Sequence, residues 1–180
     1  MVAYKIITFL LDVAAGLLGG ACLLRMYMQY QRIPFGNPVG RFIFALSDWI
    51  VLPLRKVLPA IRRLDTASLV AVYLIELAEF LLIWLVAGRV TGLEILPVLA
   101  IFGVVRLAIS GLIGLVIVYA ILSWVQTETL LSDIIDRLVN PLLRPVRKII
   151  PMVGGVDLSP LVFIVVMYII AMILDSFGFR

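Results

Sequence analysis

Four long apolar runs, separated by stretches where charge and proline return, set the pattern of this chain. They cover about residues 6–28, 67–88, 95–125 and 158–174. A helix rises 1.5 Å per residue, so about 20 residues cross a hydrocarbon core of roughly 30 Å. Each run therefore predicts a transmembrane helix. The third is longer than one crossing needs, which predicts tilt, a kink near Gly111 and Gly114, or an extension beyond the bilayer.

Two further segments carry a helical period with one apolar side. In about 129–140, Leu130, Leu131, Ile134, Ile135, Leu138 and Val139 form a stripe opposite Ser132, Asp133, Asp136, Arg137 and Asn140. In about 38–51, Pro38 opens a similar pattern, with Val39, Phe42, Ile43, Leu46, Trp49 and Ile50 facing away from Arg41 and Asp48. Both are too short and polar to cross, so each predicts an interfacial helix or one that packs beneath the bundle. The expected fold is an all-α membrane protein with four transmembrane helices and two amphipathic interfacial ones.

Composition supports the membrane reading and excludes much chemistry. Of the 180 residues 64% are hydrophobic and 14% charged, against about 45–50% and 25% in a soluble domain. Histidine is absent, which removes histidine-based triads, HExxH proteases and histidine-ligated zinc or haem. Cys22 is the single cysteine and lies in an apolar run, where a small buried hydrophobe is its expected role. The start of the chain lacks the pattern of a cleaved signal, so the first run reads as a retained helix. No catalytic residue, cofactor, metal or nucleic-acid partner is expected.

The net charge of +4 is unevenly placed: ten of the fifteen basic residues fall in residues 31–66 and 126–157. The positive-inside rule puts both connections in the cytoplasm and the termini outside. These connections also hold a repeat. Shifted by 92 positions, Pro53, Arg55, Lys56, Pro59 and Asp65 fall on Pro145, Arg147, Lys148, Pro151 and Asp157. Further upstream, Tyr30 and Trp124 correspond once a small gap is allowed. The chain thus reads as two copies, residues 1–92 and 93–180, each a span, an interfacial helix, a basic proline-bounded turn and a span. Two spans per copy place both copies in the same orientation, related by an axis along the membrane normal. The prolines should bend the chain. Arg55, Lys56, Arg147 and Lys148 should face anionic headgroups or partner proteins, and Asp65 and Asp157 should cap the helices that follow.

At these residues the chain resembles the YggT family of bacterial integral membrane proteins. The family's repeated element matches at Asn37-Pro38 with Pro53 to Asp65 and Ser68, and at Asn140-Pro141 with Pro145 to Asp157 and Ser159. Arg62-Arg63 stands where a glycine-containing turn is common. The resemblance implies a bacterial inner-membrane protein linked to osmotic tolerance, potassium uptake, or cell division and nucleoid distribution. Plastid relatives are linked to haem attachment. No family catalytic residue carries over.

Ionisable residues inside the spans point to function independently, because each is expensive in hydrocarbon unless paired or hydrated. Glu79 and Arg106 lie at matching depths of roughly 14–17 Å on neighbouring spans, Glu76 is one turn away, and Arg25 approaches from the first span. A static ion pair, a hydrated ion pathway and a partner-facing polar spot are the alternatives. The leading expectation is a non-enzymatic factor that organises lipids or other membrane proteins. An ion-conducting protein is the second.

Overall fold

The computed structural model describes residues 2–59, 64–88, 92–125, 129–150 and 157–176. Within them lie six α-helices: α1 (Val2–Tyr30), α2 (Pro38–Arg55), α3 (Thr66–Val86), α4 (Leu96–Val125), α5 (Leu130–Arg147) and α6 (Ser159–Ser176). A single 3-10 turn, Leu93–Ile95, precedes α4. Helices α1, α3 and α6, and α4 with that turn, are long and apolar enough to cross a bilayer. Their outward positions hold large hydrophobic side chains, among them Phe9, Leu17, Leu161 and Met172. Water would penalise that surface and lipid does not. The protein is a multi-pass membrane protein.

The apolar runs place the four long helices to within a few residues. Helices α2 and α5 depart more from expectation, running 18 residues each to Arg55 and Arg147 rather than ending near 51 and 140. Two of the prolines expected to bend the chain lie inside them, Pro53 in α2 and Pro145 in α5, and α5 also contains Pro141. A proline inside a helix removes the hydrogen bond to the carbonyl four residues back. All three sit on exposed faces, where that carbonyl can be solvated instead. The basic pairs therefore straddle the helix ends, Arg55 and Arg147 being the last helical residues and Lys56 and Lys148 the C-caps in the turns that follow, with positive charge where the helix dipole favours it. Pro151 lies outside the described residues, as do Arg62, Arg63, Gly154 and Gly155.

The chain forms two compact units, one comprising Met1–Tyr30 and Pro34–Ala108, the other Gln31–Ile33 and Ile109–Arg180. In the first, Ala15 and Cys22 of α1 pack with Val51 of α2 and with Ala67, Ala71, Val72 and Ile75 of α3. Small side chains allow close approach where no hydrophobic force separates helix from lipid. The contact falls on Gly19, where an added Cβ would lie 2.6 Å from Leu107, whereas Gly16 and Gly20 face open space. In the second, Val116 of α4, Ile135, Val139 and Leu143 of α5 and Phe163 of α6 form the core. Of the apolar stripe of α5, Ile135 and Val139 are spent on this core, whereas Leu130 and Leu131 at its start are exposed.

The N-terminus of α2 is fixed locally. The Asn37 side chain accepts the Gly40 amide at 2.8 Å and donates to the Pro34 carbonyl at 2.6 Å, which folds Phe35 onto Gly40. A Cβ at Gly40 would collide with the Phe35 carbonyl oxygen and lie 2.7 Å from its Cα. Backbone cannot swing aside as a side-chain tip can. Gly40→Ala is expected to destabilise the protein by about 1–3 kcal/mol, and Asn37→Ala by about 1 kcal/mol. Tryptophan fluorescence during denaturation in mixed micelles measures both.

Candidate functional site

Each unit carries an arginine–aspartate clasp between the end of its amphipathic segment and the residues leading into the next long helix. In the first, Arg55 at the end of α2 pairs with Asp65, which immediately precedes α3. Asp65 also accepts the Ser68 hydroxyl at 2.7 Å, and Arg55 reaches Gln29 of α1 at 2.9 Å. The Asp65 side chain is 1% exposed and that of Arg55 38%. Burial alone would raise the Asp65 carboxyl, but the hydrogen bonds from Arg55 and Ser68 outweigh it and hold it below the usual carboxylate range.

The second clasp stands 92 positions later. Arg147 donates from Nε to Asp157 at 2.8 Å, and its terminal nitrogens donate to Asn140 at 2.6 Å and to the Tyr119 hydroxyl at 2.8 Å. Asn140 in turn donates to Asp136 at 2.7 Å. Asp157 accepts the Ser159 amide at 2.9 Å. Its carboxyl is likewise held low, burial being outweighed by the Ser159 amide and Arg147. Every nitrogen of the Arg147 guanidinium has a partner.

These contacts divide the basic pairs expected to act together. Arg55 and Arg147 turn onto aspartates, while Lys56 and Lys148 remain exposed. The two aspartates differ: Asp157 accepts the first amide of α6, as a cap should, whereas Asp65 does otherwise. Asp65 occupies the N-cap position of α3 without a side-chain cap hydrogen bond, its carboxylate being engaged by Arg55 and Ser68. Pro59 is exposed and its carbonyl accepts the Thr66 hydroxyl at 2.8 Å.

Arg25 is absent from the glutamate cluster toward which the sequence pointed it. It is 2% exposed, donates to Ser47 at 2.8 Å and Asp48 at 2.6 Å, and stacks 4.7 Å from the centre of the Phe44 ring. Its Nε is buried without a hydrogen-bond partner. Asp48 was legible only as a polar-face residue of α2; the signal was that a buried arginine in one span requires an acid, and α2 supplies one. The position 92 residues beyond Asp48 is Asn140, and the two-residue gap that aligns Tyr30 with Trp124 aligns Arg25 with Tyr119. An ion pair in the first copy corresponds to a neutral pair in the second, with Arg147 joining its two members.

Within the long helices of the first unit, Asp12, Glu79 and Arg106 act electrostatically on Glu76, and Asp12 and Arg106 act on Glu79. Asp12 is the member that spacing arguments missed. Glu76 is buried and its carboxylate lies against Gly103, where a Cβ would collide with it and lie 2.9 Å from Phe80. Among the described residues no group of histidine, cysteine, aspartate and glutamate is placed to hold a metal ion.

A family model described as CCB3/YggT matches residues 4–86 and 98–177. The chain belongs to the CCB3/YggT family. It is 34% identical over 172 residues to the "Uncharacterized protein YggT" of Escherichia coli (strain K12), covering 92% of this chain and 87% of that protein. An "Uncharacterized protein" of Haemophilus influenzae is 31% identical over 163 residues, covering 87% and 84% respectively. The "Uncharacterized protein in proC 3'region" of Vibrio alginolyticus is 31% identical over 146 residues, 79% of each chain. No solved structure matches. The two family-model matches each contain one clasp, Arg55–Asp65 in the first stretch and Arg147–Asp157 in the second.

Proposed function

We propose that this chain is a non-enzymatic scaffold of the bacterial inner membrane, built as two tandem hairpins, that organises other membrane proteins through α2 and α5. In this reading both helices lie in the cytoplasmic interface, and both termini face outward. The observation that carries it is the repeated clasp. Each ties the end of one 18-residue helix to the residues before the next span, fixing an outer face that its own unit leaves uncovered. On α2 that face presents Phe42, Trp49 and Leu52, 63%, 60% and 47% exposed, beside Arg41 and Lys56. Aromatic side chains flanked by cations suit the headgroup layer and partner helices within it. On α5 it presents Asp133, Arg137 and Arg144, a polar face suited to water.

A photocrosslinking amino acid at Trp49 or Arg137 in living cells tests the scaffold. Discrete adducts with integral membrane proteins are expected, weakened when Arg55→Gln and Arg147→Gln release the clasps. Adducts with lipid alone overturn it. Orientation is read separately by labelling Lys56→Cys and Lys148→Cys, which should react from the same side of the membrane, opposite the termini.

The charges of the first unit favour a second reading, conduction of a cation or proton past Asp12, Glu76 and Glu79. Liposome flux that Glu76→Gln and Glu79→Gln leave unchanged removes that reading.

A further inference from the structure

We propose that the cleft at the end of α5 binds a phosphate group, carried by an anionic phospholipid headgroup, and that the corresponding place at the end of α2 does not. The proposal rests on the reading above only in placing the end of α5 at headgroup level.

The cleft is open, about 570 Å³ in volume, and lined by Asn140, Pro141, Arg144, Arg147 and Lys148. That volume falls within the roughly 300–1,000 Å³ of small-ligand sites. Arg144, Arg147 and Lys148 are spaced by three and four residues, which places them on one side of the last helical turns. Among the described residues, no carboxylate lines the cleft. Arg147 is already held by Asp157, Asn140 and Tyr119, so a phosphate oxygen meets a guanidinium whose position is set beforehand. Arg144 and Lys148 are exposed and, among the described residues, carry no acidic partner. They supply the uncompensated charge. Asn140 orients rather than binds, since its carbonyl receives Arg147 and its amide donates to Asp136.

The corresponding positions of the first copy are Asp48, Trp49, Leu52, Arg55 and Lys56. A carboxylate stands for the amide, an indole for the proline and an aliphatic chain for Arg144. Asp48 is committed to Arg25. Beside the clasped arginine, the second copy offers Arg144 and Lys148 and the first offers Lys56 alone. The duplication therefore holds one phosphate site, not two.

Native mass spectrometry of the full chain in mild detergent, titrated with phosphatidylglycerol or phosphatidylcholine, tests this. Phosphatidylglycerol should bind preferentially, and Arg144→Gln with Lys148→Gln should weaken it by about tenfold or more. Arg144→Leu alone, which installs the residue of the first copy, should reproduce part of that loss, and Lys5→Gln, at an exposed cation remote in sequence from the cleft, should leave the affinity unchanged. Displacement of the lipid by millimolar inorganic phosphate supports the phosphate chemistry but assigns it to a soluble source. Unchanged lipid affinity in the double variant overturns the site. So does an equal loss in Lys5→Gln, which would mean general surface charge. Loss of the Trp49 crosslinks would remove the scaffold reading without touching this outcome.

Discussion

Asp48→Ala is expected to destabilise the protein by about 3 kcal/mol, among the largest effects of any single substitution. The reason lies in its partner. The Arg25 side chain is 3% exposed, and Asp48 is its acid. Without that carboxylate the guanidinium keeps only the Ser47 hydroxyl and the face of Phe44, which compensate a buried charge poorly. Asp48 itself is 41% exposed, so the loss stays near the lower end of the range for breaking a wholly buried pair. Removing both charges at once, as Arg25→Met with Asp48→Leu, is expected to recover most of the stability, because desolvating two ions offsets much of their attraction. Asp48→Asn, the residue of the second copy, should fall between. Denaturation in mixed micelles ranks the three variants. Equal stability of Asp48→Ala and the native protein would mean the pair contributes nothing.

The second large effect is expected at Arg55. Arg55→Gln strands the Asp65 carboxylate, 1% exposed, with the Ser68 hydroxyl as its remaining side-chain donor. A wholly buried broken pair costs about 3–5 kcal/mol; the 38% exposure of Arg55 reduces this to about 2–3 kcal/mol. Arg147→Gln should cost less, because Asp157 is 28% exposed and retains the Ser159 amide. The clasp also has a pH signature. The folded carboxyl of Asp65 lies below its unfolded value, so its contribution is fully present above about pH 4. It is lost as acidification carries the pH down through the lowered folded value. Arg55→Gln should flatten that acid-side decline. An identical acid profile for the variant and the native protein would show that the pair does not hold Asp65 ionised.

Much of this molecule was legible without coordinates. Four apolar runs, Pro38 after Asn37, and the stripe from Leu130 to Val139 follow from local periodicity and from what lipid tolerates. The repeat marked Arg55, Asp65, Arg147 and Asp157 as counterparts. It did not reveal that they pair, because each arginine lies ten positions from its aspartate, beyond the three- and four-residue spacings at which helical neighbours meet. Pro53 and Pro145 misled for a related reason. Proline disfavours helix on average, yet on an exposed face near a helix end the lost hydrogen bond is cheaply replaced.

By itself the sequence determined that the chain crosses a membrane, how many helices can do so, and that a proline-bounded arginine motif recurs after 92 positions, since apolar runs and repetition are properties of the string. Only the tertiary structure decided which acid each arginine meets: Arg25 with Asp48, Arg55 with Asp65, Arg147 with Asp157. Electrostatic partners depend on distance in space, and folding brings together residues that the order of the chain holds apart.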